Sequence, residues 1–214
     1  MKKQRCVIIG ASPYQSEGAF LRSQVNAEDY IVCADGGYVL AEQAGIVPDL
    51  IIGDFDSSPE PTGTAAEILR LPVKKDDTDT MVCIKEGLAR GYGDFLLLGT
   101  TGGRPDHTFA NYTALLYLAH RGCRAVVKDS RWEVCVVHNS SICISDHAGS
   151  GFGIFPFGCE SCSVSLRGFL YEGETIRLTA DFPLGVSNTV TAEKAYVKAE
   201  GTALAMLEVC RHDV

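Results

Sequence analysis

No apolar run in this 214-residue sequence approaches the roughly 20 residues needed to cross a bilayer, and no basic-then-apolar leader with a small-residue cleavage site is present. The expectation is a soluble, cytoplasmic protein with no membrane partner. There is no GxxxxGK[ST], which excludes a P-loop as the mode of nucleotide binding. Basic clusters are also missing: 19 Lys and Arg against 27 Asp and Glu leave a net charge of −8, the opposite of a nucleic-acid surface. That balance suits a small cationic substrate, or an anion that arrives with its own metal. Cysteine is plentiful but has no framework. Nine is an odd number, and Cys159-Glu-Ser-Cys162 has no second CxxC or His pair at zinc spacing. Cys6, Cys33, Cys83, Cys135 and Cys143 lie in apolar stretches and read as buried free thiols.

What is present is a globular composition, 46% hydrophobic and 21% charged. In the first two thirds, strand-like runs alternate with helical patterns. Arg5 to Gly10, Tyr30 to Ala34, Leu50 to Gly53, Asp94 to Gly99 and Arg124 to Lys128 are continuous apolar runs of the kind covered on both faces. Thr80 to Arg90 places Met81, Ile84 and Leu88 at helical spacing. Asp106 to His120 does the same with Phe109, Tyr112, Leu115, Leu116 and Ala119. This alternation predicts an α/β domain over residues 1–130, with a mainly parallel sheet between helices. From Trp132 onward, short β-forming segments such as WEVCVVH, SICIS, SVSLRG, KAYVKAE and ALAMLEV sit between Gly, Ser and Asn turns, with no amphipathic helix. Residues 131–214 therefore read as a small antiparallel β domain.

Four chemistry-bearing stretches fall where strands should end: Ala34-Asp35-Gly36-Gly37, Gly53-Asp54-Phe55-Asp56-Ser57, Lys75-Asp76-Asp77-Thr78-Asp79 and Thr100-Thr101-Gly102-Gly103-Arg104-Pro105-Asp106-His107. In open parallel sheets the ligand crevice lies beyond the carboxyl ends of the strands, so all four would face one crevice. On an extended segment Asp54 and Asp56 point to the same side. Singly, each aspartate has a plain structural use, Asp77 or Asp79 as a helix cap and Asp54 or Asp35 in a turn. Together, Asp35, Asp54, Asp56, Asp76 and Asp79 in one cleft would repel one another unless a divalent cation sat among them. Mg²⁺ suits carboxylate oxygens combined with substrate phosphates. The glycines of the fourth stretch offer unhindered N–H groups at a helix start, and Arg104 adds a fork-shaped cation, both suited to phosphate. A tight strand-to-helix turn with Arg104 in solvent explains the same residues without a ligand. His107 would polarise a phosphoryl oxygen or pack against the turn.

ADGG, then GDFDS, then D-x-TD, then GGRxDH with Asn111 four residues on, in this order and at these separations, resemble the thiamine pyrophosphokinase family. Leu166 to Tyr171 (LRGFLY) and Ser187-Asn188 resemble its C-terminal domain. The resemblance runs from about Cys33 to Asn188. It implies an α/β domain followed by a β-sandwich-like domain, and Mg-dependent transfer of a diphosphate from ATP to the hydroxyl of thiamine, giving thiamine diphosphate and AMP. Under it, Asp54, Asp56 and Asp79 hold Mg²⁺, Asp35 and Asp76 complete an acidic wall, and Arg104 stabilises charge on the transferred group. Gly36, Gly37, Gly102, Gly103, Asp106, His107 and Asn111 fall to the nucleotide. Thr78, Asp79, Ser187 and Asn188 fall to thiamine, within a homodimer whose active site lies at the subunit interface. The sequence departs from the family pattern at Tyr38-Val39, where many members have Ala-Asn, and at Thr189, where Glu is common. Three other readings remain open. Asp54-Phe55-Asp56-Ser57-Ser58 also resembles the DxDx[TS] of haloacid-dehalogenase-type phosphohydrolases, a pyrophosphokinase with a different alcohol acceptor fits the same motifs, and so does a non-catalytic nucleotide or thiamine sensor.

Overall fold

The computed structural model describes residues 4–11, 18–56, 61–74 and 76–209. Among them, chain order runs β1 (Arg5–Ile9), α1 (Gly18–Gln24), β2 (Asp29–Ala34), α2 (Gly37–Gln43), β3 (Leu50–Gly53), β4 (Glu67–Arg70), α3 (Asp79–Ala89), β5 (Asp94–Leu98), α4 (Pro105–Ala119) and β6 (Arg124–Lys128). The strands β7 (Trp132–Ser145), β8 (Gly151–Pro156), β9 (Ser161–Arg167), β10 (Gly173–Thr179), β11 (Asn188–Thr189) and β12 (Lys194–Glu208) follow. The chain divides into two compact units, residues 1–114 with 122–129, and residues 115–121 with 130–214.

The first unit is α/β. Its strands lie in the order β6-β5-β1-β2-β3-β4, and every pairing is parallel. The continuous apolar runs make this possible, because β1, β2, β3 and β5 are buried on both faces. Alternation along the strands assigns the faces. Val7, Ile9, Ile31, Cys33, Ile51, Leu96 and Leu98 share one core with Leu21 of α1 and Tyr38, Leu40 and Ala41 of α2. Cys6 and Phe95 belong to the opposite face and meet Gly87 of α3. The chain lays β2, β3 and β4 outward on one side of β1, then returns to place β5 and β6 on the other. The sheet therefore reverses its winding between β1 and β5.

Several elements escape the periodicity of the sequence. The helices α1 and α2 have seven residues each, too short to show a stripe. The strand β4 is an edge strand exposed along its whole length, so no burial pattern marks it. In α3 the buried face is Cys83, Ile84 and Gly87, with Met81 and Leu88 only part-buried. In α4 the buried positions are Asn111, Ala114, Leu115 and Leu118, while Phe109 points to solvent at 63% exposure and leaves the expected stripe. The eight described cysteines are free thiols. Cys143 is exposed and Cys135 part-buried, because strand alternation turns Cys143 outward on β7. Burial pushes the Cys6 thiol up to about 12, which keeps it protonated and inert.

The second unit is antiparallel β around a separate core of β-strand side chains. Segments that the sequence presents as separate strands are joined. WEVCVVH and SICIS form the single β7, and KAYVKAE and ALAMLEV form the single β12. The junction is a bulge between Ala199 and Thr202, where Gly201 takes φ +92° and its N–H donates to Asn139 Oδ1 at 2.8 Å. One edge of β12 pairs with β9 before the bulge and with β8 after it, so one strand serves both halves of the folded sheet.

Gly87 gives a test of the α3 contact. A Cβ there would lie 2.7 Å from the Phe95 ring and 3.1 Å from Cys6 Sγ. Gly87→Ala is expected to destabilise the protein by about 1–3 kcal/mol through overpacking. A lower denaturation midpoint at unchanged m-value is the outcome that checks it.

Candidate active site

Reversal of winding between β1 and β5 opens a crevice at their carboxyl ends. A cleft of about 540 Å³ occupies that place, lined by Gly10 and Ala11 after β1, Asp35 after β2, and Gly99, Thr100 and Thr101 after β5. Close approach of backbone shapes its floor. A Cβ on Gly10 would lie 2.7 Å from the Gly99 carbonyl oxygen, and one on Gly99, at φ +61°, would lie equally close to the Gly10 carbonyl. Only glycine fits this double contact.

One wall is acidic. Asp35 takes a left-handed backbone at φ +43°, a strained conformation for a residue with a side chain, while its N–H donates to Ile52 O at 2.7 Å. Its Oδ1 is buried and accepts no hydrogen bond. Asp77, Thr78, Asp79 and Thr80 at the start of α3 line the same cleft. Thr78 is the N-cap, its Oγ1 accepting from Met81 N at 3.2 Å, a role the sequence left to Asp77 or Asp79. Asp77 instead pairs with Lys85 at 2.6 Å.

The opposite wall is the turn from β5 into α4. The buried Asn111 donates from Nδ2 to the Thr100 carbonyl at 2.7 Å, and Thr101 Oγ1 donates to Asp129 Oδ2 at 2.8 Å. These bonds hold the turn that presents Gly103, Arg104, His107 and Thr108 to the cleft. Arg104 forks onto its neighbour Asp106, with Nε at 3.1 Å and Nη2 at 2.6 Å from the two carboxylate oxygens. That bond holds the Asp106 carboxyl below its usual range and raises Arg104 above its own.

The cleft thus gathers Asp35, Thr78, Asp79, Gly103, Arg104, His107 and Asn111. Asp54, Asp56, Asp76, Gly36, Gly37, Gly102 and Asp106 are not among its lining residues. For Asp54, Asp56 and Gly37 the cause is local. The chain leaves extended geometry after Gly53: Phe55 sits at φ +55° and Asp56 N donates to Asp54 Oδ1 at 3.3 Å. The same-side expectation for Asp54 and Asp56 therefore does not hold. Among the described residues no group of three or more His, Cys, Asp or Glu side chains is arranged to hold a metal, so Asp54, Asp56 and Asp79 are not a preassembled site. Gly37 is a packing position whose Cβ would collide with the Ile9 carbonyl oxygen. Ser57 and Lys75 lie outside the described residues. Gly10, Ala11 and Thr108 were not singled out in the sequence, and Thr100 and Thr101 were quoted there without a role. The signal for Gly10 is a strand ending in glycine, but its meaning depends on strand order.

Ser187 and Asn188 belong to the second unit. Ser187 is exposed at φ +60°. Asn188 is buried and fully engaged, with Oδ1 accepting from the N–H groups of Tyr171 and Thr189, and Nδ2 donating to Tyr171 O at 2.8 Å. In this conformation its amide braces the Leu170–Tyr171 segment instead of facing a ligand.

Residues 21–127, which contain every lining residue of the cleft except Gly10 and Ala11, match the model of the thiamin pyrophosphokinase catalytic domain. The chain belongs to the thiamin pyrophosphokinase family. It is 26% identical over 197 residues to Thiamin pyrophosphokinase 1 of Caenorhabditis elegans, covering 86% of this chain and 81% of that protein. It is 27% identical over 164 residues to the Thiamine pyrophosphokinase of Bacillus subtilis, covering 72% and 75%. The crystal structure of thiamine pyrophosphokinase from Bacillus subtilis matches with a TM-score of 0.85 at 21% identity, covering 98% of this chain and 100% of that one. The yeast thiamin pyrophosphokinase structure matches with a TM-score of 0.78 at 16% identity, covering 97% and 87%. At such identities the structural likeness establishes the shared fold. In thiamin pyrophosphokinase terms, the matched segment carries the ADGG, GDFDS, D-x-TD and GGRxDH motifs, and Ser187-Asn188 lies beyond it.

Asn188→Ala removes three part-buried hydrogen bonds at once. The expected outcome is a loss of about 1–3 kcal/mol from backbone groups left unpaired, read as a lower denaturation midpoint. Hydrogen exchange checks the location, with protection lost at the Tyr171 and Thr189 amides.

Proposed function

We propose that this chain is a thiamine diphosphokinase, transferring the diphosphate of ATP to the hydroxyl of thiamine to give thiamine diphosphate and AMP. The observation that carries the reading is one cleft at the winding reversal with an acidic wall on one side and a donor-rich helix start on the other, inside the segment that defines the family. AMP is the leaving group, so the thiamine hydroxyl attacks the β-phosphorus of ATP. The new bond is O–Pβ, the bond to the AMP oxygen breaks, and the alcohol's proton passes to a carboxylate, for which Asp79 and Asp76 are the candidates.

In such a transfer the protein positions groups and neutralises developing charge. The N-terminus of the 15-residue α4, preceded by Gly102 and Gly103, presents backbone donors and the positive end of its dipole to phosphate. Arg104 serves the departing AMP after exchanging the Asp106 carboxylate for phosphoryl oxygens, a charge-assisted bond of the same fork geometry. The buried, unpartnered Asp35 Oδ1 fits a hard divalent cation, whose donors are carboxylate and phosphate oxygens. Asp54, Asp56 and Asp79 are the proposed Mg²⁺ ligands, and the ion supplies neutralisation of phosphate charge. These carboxylates are not preassembled, so they would hold the ion only together with the nucleotide's own phosphate oxygens. An acidic wall also favours the thiazolium cation of thiamine.

The DxD-type hydrolase is not favoured, since Asp54 follows the third strand of the domain, two strands away from β1. Homodimerisation is part of the proposal, with Ser187 and the second unit of one copy meeting thiamine held by the other, and Asn188 bracing the Leu170–Tyr171 segment beside it. Leu170, Tyr171, Phe182, Leu184 and Val186 support it as exposed apolar side chains close in sequence within that unit. No described helix is long and apolar enough to cross a membrane, and a cytoplasmic setting is proposed from the need for ATP.

The test is an AMP-release assay with thiamine and a panel of other alcohols. AMP formed only with thiamine and Mg²⁺, abolished by chelation and reduced at least about 100-fold in Asp54→Asn, is the expected result. Phosphate released without an acceptor, or full activity in Asp54→Asn, would remove the reading.

A further inference from the structure

The two threonines after β5 have different uses. Thr101 Oγ1 is satisfied by Asp129. Thr100 is 7% exposed, lines the cleft, and its Oγ1 is buried with no hydrogen-bond partner. Its backbone is not free to relieve this, because Asn111 fixes its carbonyl from inside the fold. Its methyl group, Cγ2, faces the cleft floor, 3.1 Å from the place a Cβ on Gly10 would occupy. A valine would fill the same volume without leaving a polar atom unmatched, so the hydroxyl is carried at a cost to the ligand-free fold.

The position says what the hydroxyl is for. Thr100 is two residues before Gly102-Gly103 and four before Arg104, in the donor-rich turn. Its Oγ1 is screened from water, and a rotation of about 120° about χ1, between staggered wells, exchanges it with the methyl that borders the floor. The geometry points to Thr100 as a nucleotide-binding residue, rotating on binding to donate its hydroxyl proton to a phosphoryl oxygen at the start of α4. This rests on the proposed activity for the identity of the ligand, but not for the existence of the contact. An anionic acceptor repays the hydroxyl for its missing partner, whereas Asp35, across the floor beyond Gly10, has no proton to donate when ionised and suits a cation instead.

The experiment compares the full chain with Thr100→Val and Thr100→Ser. In the AMP-release assay Thr100→Val is expected to raise the KM for ATP about 10-fold or more, with the KM for thiamine unchanged, and Thr100→Ser to restore it to near the wild-type value. The thermal midpoint of ligand-free Thr100→Val should equal or exceed that of wild type, a result that a structural hydroxyl would not give. Wild-type KM in the valine variant overturns the inference, as does a lowered midpoint together with a KM rise that serine does not rescue. Calorimetric titration with ADP separates this from the activity. If wild type releases no AMP but binds ADP, and the valine variant binds it about 10-fold more weakly, the contact stands and the activity falls. If wild type neither turns over nor binds ADP, both fall.

Discussion

Everything at the cleft depends on how closely the ends of β1 and β5 approach. Gly10 and Gly99 pass each other with no room for a side chain on either, and this contact sits where the winding of the sheet reverses. Parallel strands direct their following loops to one edge, so the loop after β2 and the turn after β5 flank the bare backbone of β1. A side chain at Gly10 would fill the floor and push Thr100 outward. The acidic and donor-bearing walls face each other because of a packing constraint, and their chemistry follows from that placement.

The sequence was legible where burial left a local signature. Leu50–Gly53 and Arg124–Lys128 coincide with the apolar runs read from residues alone, and α3 begins one residue from the expected start. Signals faded where the deciding contact lay far along the chain. Phe109 fits a helical stripe by spacing, yet the buried face of α4 is set by what packs there, and polar Asn111 is chosen over it to hold the Thr100 carbonyl. The joining of two short runs into β12 could not be read either, since Gly201 resembles a turn residue until Asn139 is seen opposite it.

The site shows the same division. That Asp35, Asp79 and Arg104 line one cleft was legible because strand ends and helix starts can be located approximately, and the crevice rule does the rest. Gly37 looked like part of a ligand loop, but it is glycine because the Ile9 carbonyl lies against it. Asn188 looked like a ligand contact and is occupied with Tyr171. In both cases a residue type that suits binding is equally suited to holding backbone in place, and only the three-dimensional partner decides. Thr100 is the reverse case, an ordinary residue in a quoted motif whose missing partner becomes visible only in the folded chain.

The bulged strand β12 has a consequence for how the chain matures. It is the last described strand, yet β7, β8 and β9 all pair with it. Emerging from a ribosome, the parallel sheet can close from β1 to β6 before any of β12 exists, whereas the second core must wait for the closing stretch of translation. Until then, nascent β7, β8 and β9 present unpaired edges and an open apolar face. Quality control in the cell therefore has its target in a half-made sheet, and chains cut short before Lys194 would be removed even though their parallel sheet is complete.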